Sequence, residues 1–162
     1  ICAGKNTDFV RAIDGAQYNT YGSRWVFTIK EDDGKEFLKA RLVCQGFDEV
    51  VEQNLEAPTA SRDGAKLMCF IAAQKRWITC AGDVKTAFLQ ASCNSPKRVV
   101  LTAPNTGGNC DIIDPEMLFV INQKKTIYGL KSAPVAWYKT MKERLVQLGY
   151  IQSKYDLGLF FK

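Results

Sequence analysis

Asp83 and Phe88 lie five residues apart in the stretch 77–89, W-I-T-C-A-G-D-V-K-T-A-F-L. A carboxylate in such apolar company has to be hydrogen-bonded, paired or metal-bound, because a lone buried one is very costly. Two chemistries suit it. Asp83 braces the turn that follows, or it is a ligand for a hard cation such as Mg²⁺, which takes oxygen ligands and usually one or two carboxylates. Phe88, one helical turn further on, adds a surface on which something planar packs. A second pair, Lys39 and Arg41, is two residues apart, so on a strand both project from the same face. That face is either a solvated edge whose charges discourage aggregation or a basic surface for phosphates, where Arg binds bidentately. Spacing leaves each pair of readings open.

The elements that must carry these residues follow from pattern. Residues 77–83 alternate Ile78, Cys80 and Gly82 against Trp77, Thr79 and Ala81, which predicts a strand of about seven residues ending at Asp83. Residues 85–91 read as a short helix that Thr86 is able to cap. Lys39 and Arg41 fall on the return strand of a predicted hairpin. Its first strand is 23–31, with Trp25, Phe27 and Ile29 on one face, and D-D-G-K at 32–35 makes the turn. Its second strand is 36–45, with Leu38, Ala40, Leu42 and Cys44 opposite the two basic residues.

After a loop at 45–59, Ser61 reads as an N-cap, with Asp63 in the first turn and Lys75 and Arg76 at the end of a helix over 62–75. Leu67, Met68, Ile71 and Ala72 form its expected buried stripe. Strands are predicted over 97–102 and 117–123, with a Gly/Asn-rich surface loop at 104–115 between them. Pro134 suits the first turn of a helix running through Trp137, Met141, Leu145 and Leu148 to a stop at Gly149. Residues 151–153 and 157–161 begin a last hairpin. Residues 1–22 read as loop with one helical turn near 9–13.

Composition narrows the classes. An apolar share of 46% and a charged share of 24% are ordinary for a globular protein. The net charge of +5, from 22 basic and 17 acidic residues, fits a polyanion-binding protein without requiring one. No run of 18 apolar residues and no signal-peptide pattern occurs, so neither membrane insertion nor secretion is indicated. The chain opens on Ile1 rather than Met, which suggests a piece of something longer. With no histidine, zinc fingers and histidine acid–base catalysis are excluded. Cys2, Cys44, Cys69, Cys80, Cys93 and Cys110 include no C-x-x-C pair, and several sit in apolar segments, as expected of reduced core residues in an intracellular protein. Gly107 and Gly108 lack the Lys-Ser/Thr partner of a phosphate loop, which disfavours an unrelated α/β domain with a nucleotide pocket.

Seven stretches, in order and in register, resemble the reverse transcriptase of copia-type LTR retrotransposons. They are S-R-W-V-F-T-I-K (23–30), K-A-R-L-V-C-Q-G-F (39–47), A-P-T-A-S-R (57–62), D-V-K-T-A-F-L-Q (83–90), I-Y-G-L-K-S-A-P-V-A-W-Y (127–138), L-G-Y (148–150) and D-L-G-L-F (156–160). The resemblance covers residues 22 to 161. It implies an α+β fold: a fingers subdomain at 23–76 and the first part of a palm at 77–162, an antiparallel sheet with packed helices, preceded by a weakly patterned segment at 1–22.

It further implies an RNA-directed DNA polymerase in which Mg²⁺ (or Mn²⁺) ions align a primer 3′-hydroxyl with the α-phosphate of the incoming nucleotide. Asp83 matches the first catalytic, metal-binding aspartate, with the Val84 carbonyl beside it. Phe88 looks like the steric gate against a 2′-hydroxyl, with Ala87 next to it in the nucleotide site. Arg41 and Lys39 look like the residues that hold the triphosphate. Tyr128, Gly129 and Lys131 belong to the motif lining nucleotide and template, and Pro134 starts the next helix on the template and primer side. The implied partners are an RNA template, a DNA primer, a deoxynucleoside triphosphate and the remaining Pol segments (rest of the palm, thumb, RNase H, integrase), with no membrane. The implied location is intracellular: cytoplasmic, in a virus-like particle, and also nuclear.

Departures from the family pattern set further expectations. A Tyr-x-Asp-Asp hairpin should follow soon after Leu159 and Phe160 and is not among the 162 residues; Asp32 and Asp33, in the hairpin turn with Gly34, cannot replace it. With Asp83 alone the metal site lacks most of its carboxylates, so the chain is expected not to polymerise by itself. Gln45 stands where the family usually has a basic residue and Val135 where an Arg is common, which implies a weaker hold on nucleic acid. The alternative is a degenerate or domesticated remnant that binds nucleic acid, or only folds, without catalysis. Retention of Asp83, Phe88 and Arg41 argues against long neutral decay.

Overall fold

A computed structural model describes residues 7–10, 18–51, 54–92, 98–104, 118–121 and 125–162. Its elements are β1 (Thr7–Val10), β2 (Tyr18–Tyr21), β3 (Ser23–Asp32), β4 (Lys35–Cys44), α1 (Arg62–Lys75), α2 (Ala87–Gln90), β5 (Arg98–Thr102), β6 (Leu118–Ile121), α3 (Ala133–Gln147), β7 (Ile151–Gln152) and β8 (Phe160–Phe161). The fold is α+β.

The core gathers on β5, whose V-V-L run buries Val99, Val100 and Leu101, a continuous apolar strand of the kind that lies inside a sheet. The four-stranded sheet has the order β1-β6-β5-β2, with β2 parallel to β5 and the other pairs antiparallel. Cys44, Ile121, Ile127, Leu130 and Ala133 pack with Val99 and Leu101, and Tyr21, Leu42, Phe88, Leu89 and Phe119 close over them. The end of β4, the turn before α3 and the short α2 therefore share one core.

The hairpin forms where the sequence predicts it, with its strands at 23–32 and 35–44. β3 and β4 pair over ten residues, from Ser23 against Cys44 to Asp32 against Lys35. Asp33 (φ 49°) and Gly34 (φ 72°) both take the left-handed conformation, the two-residue turn whose twist suits flanking strands. Lys39 and Arg41 share one face; Leu38, Ala40 and Leu42 share the other with Trp25, Phe27 and Ile29. Much of this apolar face is uncovered, with Phe27 60%, Ile29 68% and Leu38 65% exposed. At its base the Ser23 hydroxyl donates to the Thr102 carbonyl at 2.6 Å, tying the hairpin to β5.

Helix α1 begins and ends as its sequence dictates. The Ser61 hydroxyl oxygen accepts from the Gly64 N–H at 2.9 Å, and Arg76 (φ 54°) closes the last turn by donating to the Ala72 and Ala73 carbonyls. Its stripe is corrected, however: only Ala72 is buried, while Leu67 and Met68 are 56% and 47% exposed. An amphipathic helix buries its apolar face only where another element covers it, and Leu67 and Met68 are left largely uncovered.

The predicted strand at 77–83 is not formed either. Residues 77–84 are irregular, with Trp77 and Ile78 60% and 91% exposed. Alternation needs a neighbouring strand to complete the hydrogen-bond ladder, and no described strand lies beside it. The helix expected over 85–91 contracts to α2. Thr86 does not cap it; it adopts φ 54°, and its hydroxyl donates to the Lys85 carbonyl at 2.7 Å. Residues 1–22, expected as loop with one helical turn near 9–13, instead carry two strands held by their sheet neighbours rather than by any local pattern. Phe9 and Val10 lie in β1, paired with Phe119 and Leu118, and β2 pairs parallel with β5, so the sheet is not the wholly antiparallel one expected. Residues 11–13, and most of the loop at 104–115, lie outside the described residues.

The remaining elements follow their expectations. β5 and β6 lie within the two predicted strands, and α3 carries Pro134 in its first turn and ends before Gly149 (φ 84°). β7 and β8 pair as a short closing hairpin. Cys44 is buried, but Cys69 and Cys80 are exposed, against the expectation of core cysteines; Cys2, Cys93 and Cys110 lie outside the described residues. Among the described residues no helix is long and apolar enough to cross a membrane.

Candidate nucleotide and metal site

Tyr128 and Gly129 sit where the end of β4 crosses the turn before α3. The Cys44 N–H donates to the Tyr128 carbonyl at 2.7 Å. Gly129 holds φ 97°, and a Cβ there would lie 1.9 Å from the Cys44 carbonyl oxygen. Gly46 bridges Leu130, and a Cβ on Gly46 would fall 2.7 Å from the Gly129 carbonyl oxygen. Two glycines thus allow two backbones to cross at a distance no side chain permits. Ile127 and Leu130 anchor the turn in the core, leaving Tyr128 half-buried between them.

Helix α2 is joined to the same turn. The Thr126 hydroxyl, fully buried, donates to the Phe88 carbonyl. The rings of Phe88 and Tyr128 meet edge to face, with centroids 5.4 Å apart and planes at 68°. The structure therefore brings Phe88 and Tyr128 together beside the end of the strand that carries Arg41 and Lys39; no hydrogen bond or ring contact links Ala87, Arg41 or Lys39 to this pair among the described residues. Arg41 is half-buried and Lys39 is exposed. Lys131 is exposed, with its ammonium 3.4 Å from the Glu49 carbonyl, and Pro134 is exposed on the first turn of α3.

Asp83 departs from expectation. It is exposed, in an irregular stretch, and makes no hydrogen bond or ion pair among the described residues. Exposure removes the desolvation cost that would have demanded a partner. Val84, beside it, is 38% exposed. Among the described residues no three acidic or cysteine side chains come together as a metal site. The Asp83 carboxylate and the Val84 carbonyl are the oxygen donors a hard cation takes, so these residues fit part of a Mg²⁺ site and not the whole of one.

Two clamping carboxylates emerge that spacing did not single out. Glu49 Oε1 accepts from the Ser132 hydroxyl at 2.6 Å, and its Oε2 accepts from the Ser132 N–H at 3.0 Å. Asp156 Oδ2 accepts from the Ser61 N–H at 2.8 Å, and its Oδ1 accepts from the Gly158 N–H at 3.0 Å. Hydrogen bonds from Ser61, then from Gly158, hold the Asp156 carboxyl below its ordinary pKa. The D-x-G pattern at 156–158 signals a local turn, but nothing local signals a partner 95 residues away. The Cys44 thiol, by contrast, is pushed up to about 12, by burial first and by Glu49 second. It is a core residue and no nucleophile.

An open groove of about 350 Å³ lies between β2 and the 45–50 segment, lined by Tyr18, Tyr21, Gln45, Phe47 and Val50 among others. None of the residues singled out in the sequence as catalytic or nucleotide-binding lines it.

Comparison with known proteins agrees with the family resemblance. Residues 11–162 match the family described as reverse transcriptase (RNA-dependent DNA polymerase). The chain is 31% identical over 144 residues to the Retrovirus-related Pol polyprotein from transposon RE2 of Arabidopsis thaliana, covering 86% of this chain and 10% of that protein. Similarity to the Pol polyprotein from transposon RE1 of the same plant is 31% over 144 residues, 86% of this chain and 9% of that one. For transposon TNT 1-94 of Nicotiana tabacum it is 26% over 144 residues, 86% of this chain and 10% of that one. The chain spans about a tenth of the length of the curated relatives it matches. No solved structure matches it. The chain belongs to the reverse transcriptase (RNA-dependent DNA polymerase) family.

Proposed function

We propose that this chain is the fingers and the first part of the palm of a copia-type retrotransposon polymerase that adds deoxynucleotides to a DNA primer on an RNA template. The observation that carries the proposal is the packing of Phe88 against Tyr128, under a turn fastened to the end of the basic strand β4. Phe88 and Tyr128, distant in sequence and assigned to one nucleotide site by the family resemblance, are in ring contact, which supports the reading.

The Arg41 guanidinium offers a planar fork that matches phosphate oxygens, and Lys39, on the same face, adds a second positive charge. Phe88 and Tyr128 form an aromatic floor. Phe88 is the steric gate against a 2′-hydroxyl, and its edge-to-face contact with Tyr128, which holds the ring in place, supports that reading. Asp83 is the first of the carboxylates that hold Mg²⁺ or Mn²⁺, with the Val84 carbonyl beside it. A divalent cation bound there supplies Lewis-acid stabilisation of charge on the transferring phosphate. Further carboxylates come from elsewhere in the polymerase, and the 162 residues alone incorporate no nucleotide. Lys131 and Pro134 face template and primer. The remaining Pol segments complete the enzyme, which works in cytoplasmic virus-like particles and in the nucleus.

The test is Mg²⁺-dependent primer extension on a homopolymer RNA template, run with this chain and with a version extended through its natural downstream sequence. Extension by the longer form alone is expected. Folded proteins that are both silent would overturn the proposal.

A further inference from the structure

Ser132 stands at the position before α3, where a serine hydroxyl ordinarily turns inward to accept from the helix's own N–H groups; here it makes no such bond. It donates instead to Glu49, whose second oxygen accepts from the Ser132 N–H. A carboxylate from a segment 83 residues away therefore supplies the negative charge that the N-terminus of α3 attracts. Glu49 is itself fixed, because its N–H donates to the Gly46 carbonyl at 3.1 Å and its carbonyl accepts from the Lys131 ammonium at 3.4 Å. Both of its neighbours in this arrangement, Gly46 and Lys131, flank the crossing of β4 with the Tyr128 turn.

We infer that Glu49 is a positioning residue for nucleotide binding: by clamping Ser132 it holds the turn bearing Tyr128 and Gly129 in register with the strand bearing Arg41. This rests on the proposed polymerase function. The backbone bonds of the crossing, Cys44 to Tyr128 and Gly46 to Leu130, fix the turn at one end. At its other end, where the turn leaves for α3, Ala133 packs into the core and Glu49 adds the polar tie to Ser132. With the clamp released the turn stays folded on its core anchors Ile127 and Leu130 and on the Cys44–Tyr128 backbone bond, while the segment from Tyr128 to Ser132 loses its polar tie and holds the Tyr128 side chain less firmly relative to Arg41. Such a change weakens the hold on the nucleotide and spares the chemical step.

The experiment uses the chain extended through its downstream sequence, with Glu49→Ala, Glu49→Gln, Ser132→Ala and the double variant Glu49→Ala/Ser132→Ala. Asp48→Asn, an exposed neighbour, is the control. Each single Ala variant is expected to raise the KM for deoxynucleotide roughly tenfold, the equivalent of one hydrogen bond to a charged group, with kcat little changed. The double variant should be no worse than the more severe single one, since both cut the same link. Multiplying effects, an unchanged KM, or a loss confined to kcat would overturn the inference. In the 162-residue chain, Glu49→Ala should also speed hydrogen exchange at the Ser132 N–H by about tenfold; unchanged exchange removes the clamp itself. An extended wild-type chain that folds but incorporates nothing defeats the polymerase reading and the nucleotide role with it, whereas accelerated exchange would still uphold the clamp.

Discussion

The Asp156 carboxylate accepts from the Ser61 N–H at 2.8 Å and so fastens the start of α1 to the loop that leads into β8. The fit is close around it. A Cβ on Gly158 would lie 2.1 Å from the Ala60 backbone nitrogen, and one on Gly64 would lie 2.5 Å from Asp156 Oδ2. Two motifs with no assigned chemistry, A-P-T-A-S-R and D-L-G-L-F, are thus one joint.

That joint is acid-sensitive. The folded-state pKa of Asp156 lies below its ordinary 3.8, so its contribution to stability is fully present above that value and disappears as pH falls through the folded pKa. Denaturation followed between pH 6 and pH 2 should show Asp156→Asn less stable than wild type at the upper end, with the difference shrinking toward the lower end. A difference independent of pH contradicts the hydrogen-bonded carboxylate.

Gly129→Ala should destabilise the fold by at least about 1–3 kcal/mol from backbone strain alone, because φ 97° disfavours any side chain. The steric conflict 1.9 Å from the Cys44 carbonyl adds to it. A denaturant midpoint equal to that of wild type would mean the turn does not cross β4 as described.

Leu101 and Leu67 form a matched pair for testing where the core lies. Leu101 is fully buried and Leu67 is 56% exposed. Leu101→Ala should cost roughly 2–5 kcal/mol, and Leu67→Ala about 0.5 kcal/mol or less. Equal losses in denaturant titration would place α1 against a partner that the described residues lack.

Phe88→Ala, in the chain extended through its downstream sequence, should raise incorporation of ribonucleotides relative to deoxyribonucleotides. An unchanged ratio in single-nucleotide incorporation takes Phe88 out of the gate. The same substitution removes an edge-to-face contact of order 0.5–1.5 kcal/mol with Tyr128, so stability must be measured beside it.

What the sequence made legible was local. The hairpin could be read because the Asp-Gly turn and the alternation from Trp25 to Ile29 fix register within a few residues. α1 was framed by Ser61 and Arg76 for the same reason. The strand ending at Asp83 and the stripe of Leu67 and Met68 were misjudged because each needs a covering neighbour, and alternation or amphipathicity announces a face without saying what lies on it. The clamping roles of Glu49 and Asp156 leave no local mark in the sequence, because their partners, Ser132 and Ser61, lie 83 and 95 residues away. Phe88 and Tyr128 were paired only through family resemblance; their ring contact supports that pairing from geometry.

The role of Asp83 is the centre of the account, and the rate of single-turnover nucleotide incorporation by Asp83→Asn in the extended chain tests it most directly. Asp83 is exposed and makes no hydrogen bond or ion pair among the described residues, so the variant should fold as wild type does. Loss of a metal-binding carboxylate worth several kcal/mol in the transition state predicts a fall on the order of 10³-fold or more. A folded variant that incorporates nucleotide within tenfold of the wild-type rate would contradict the assignment.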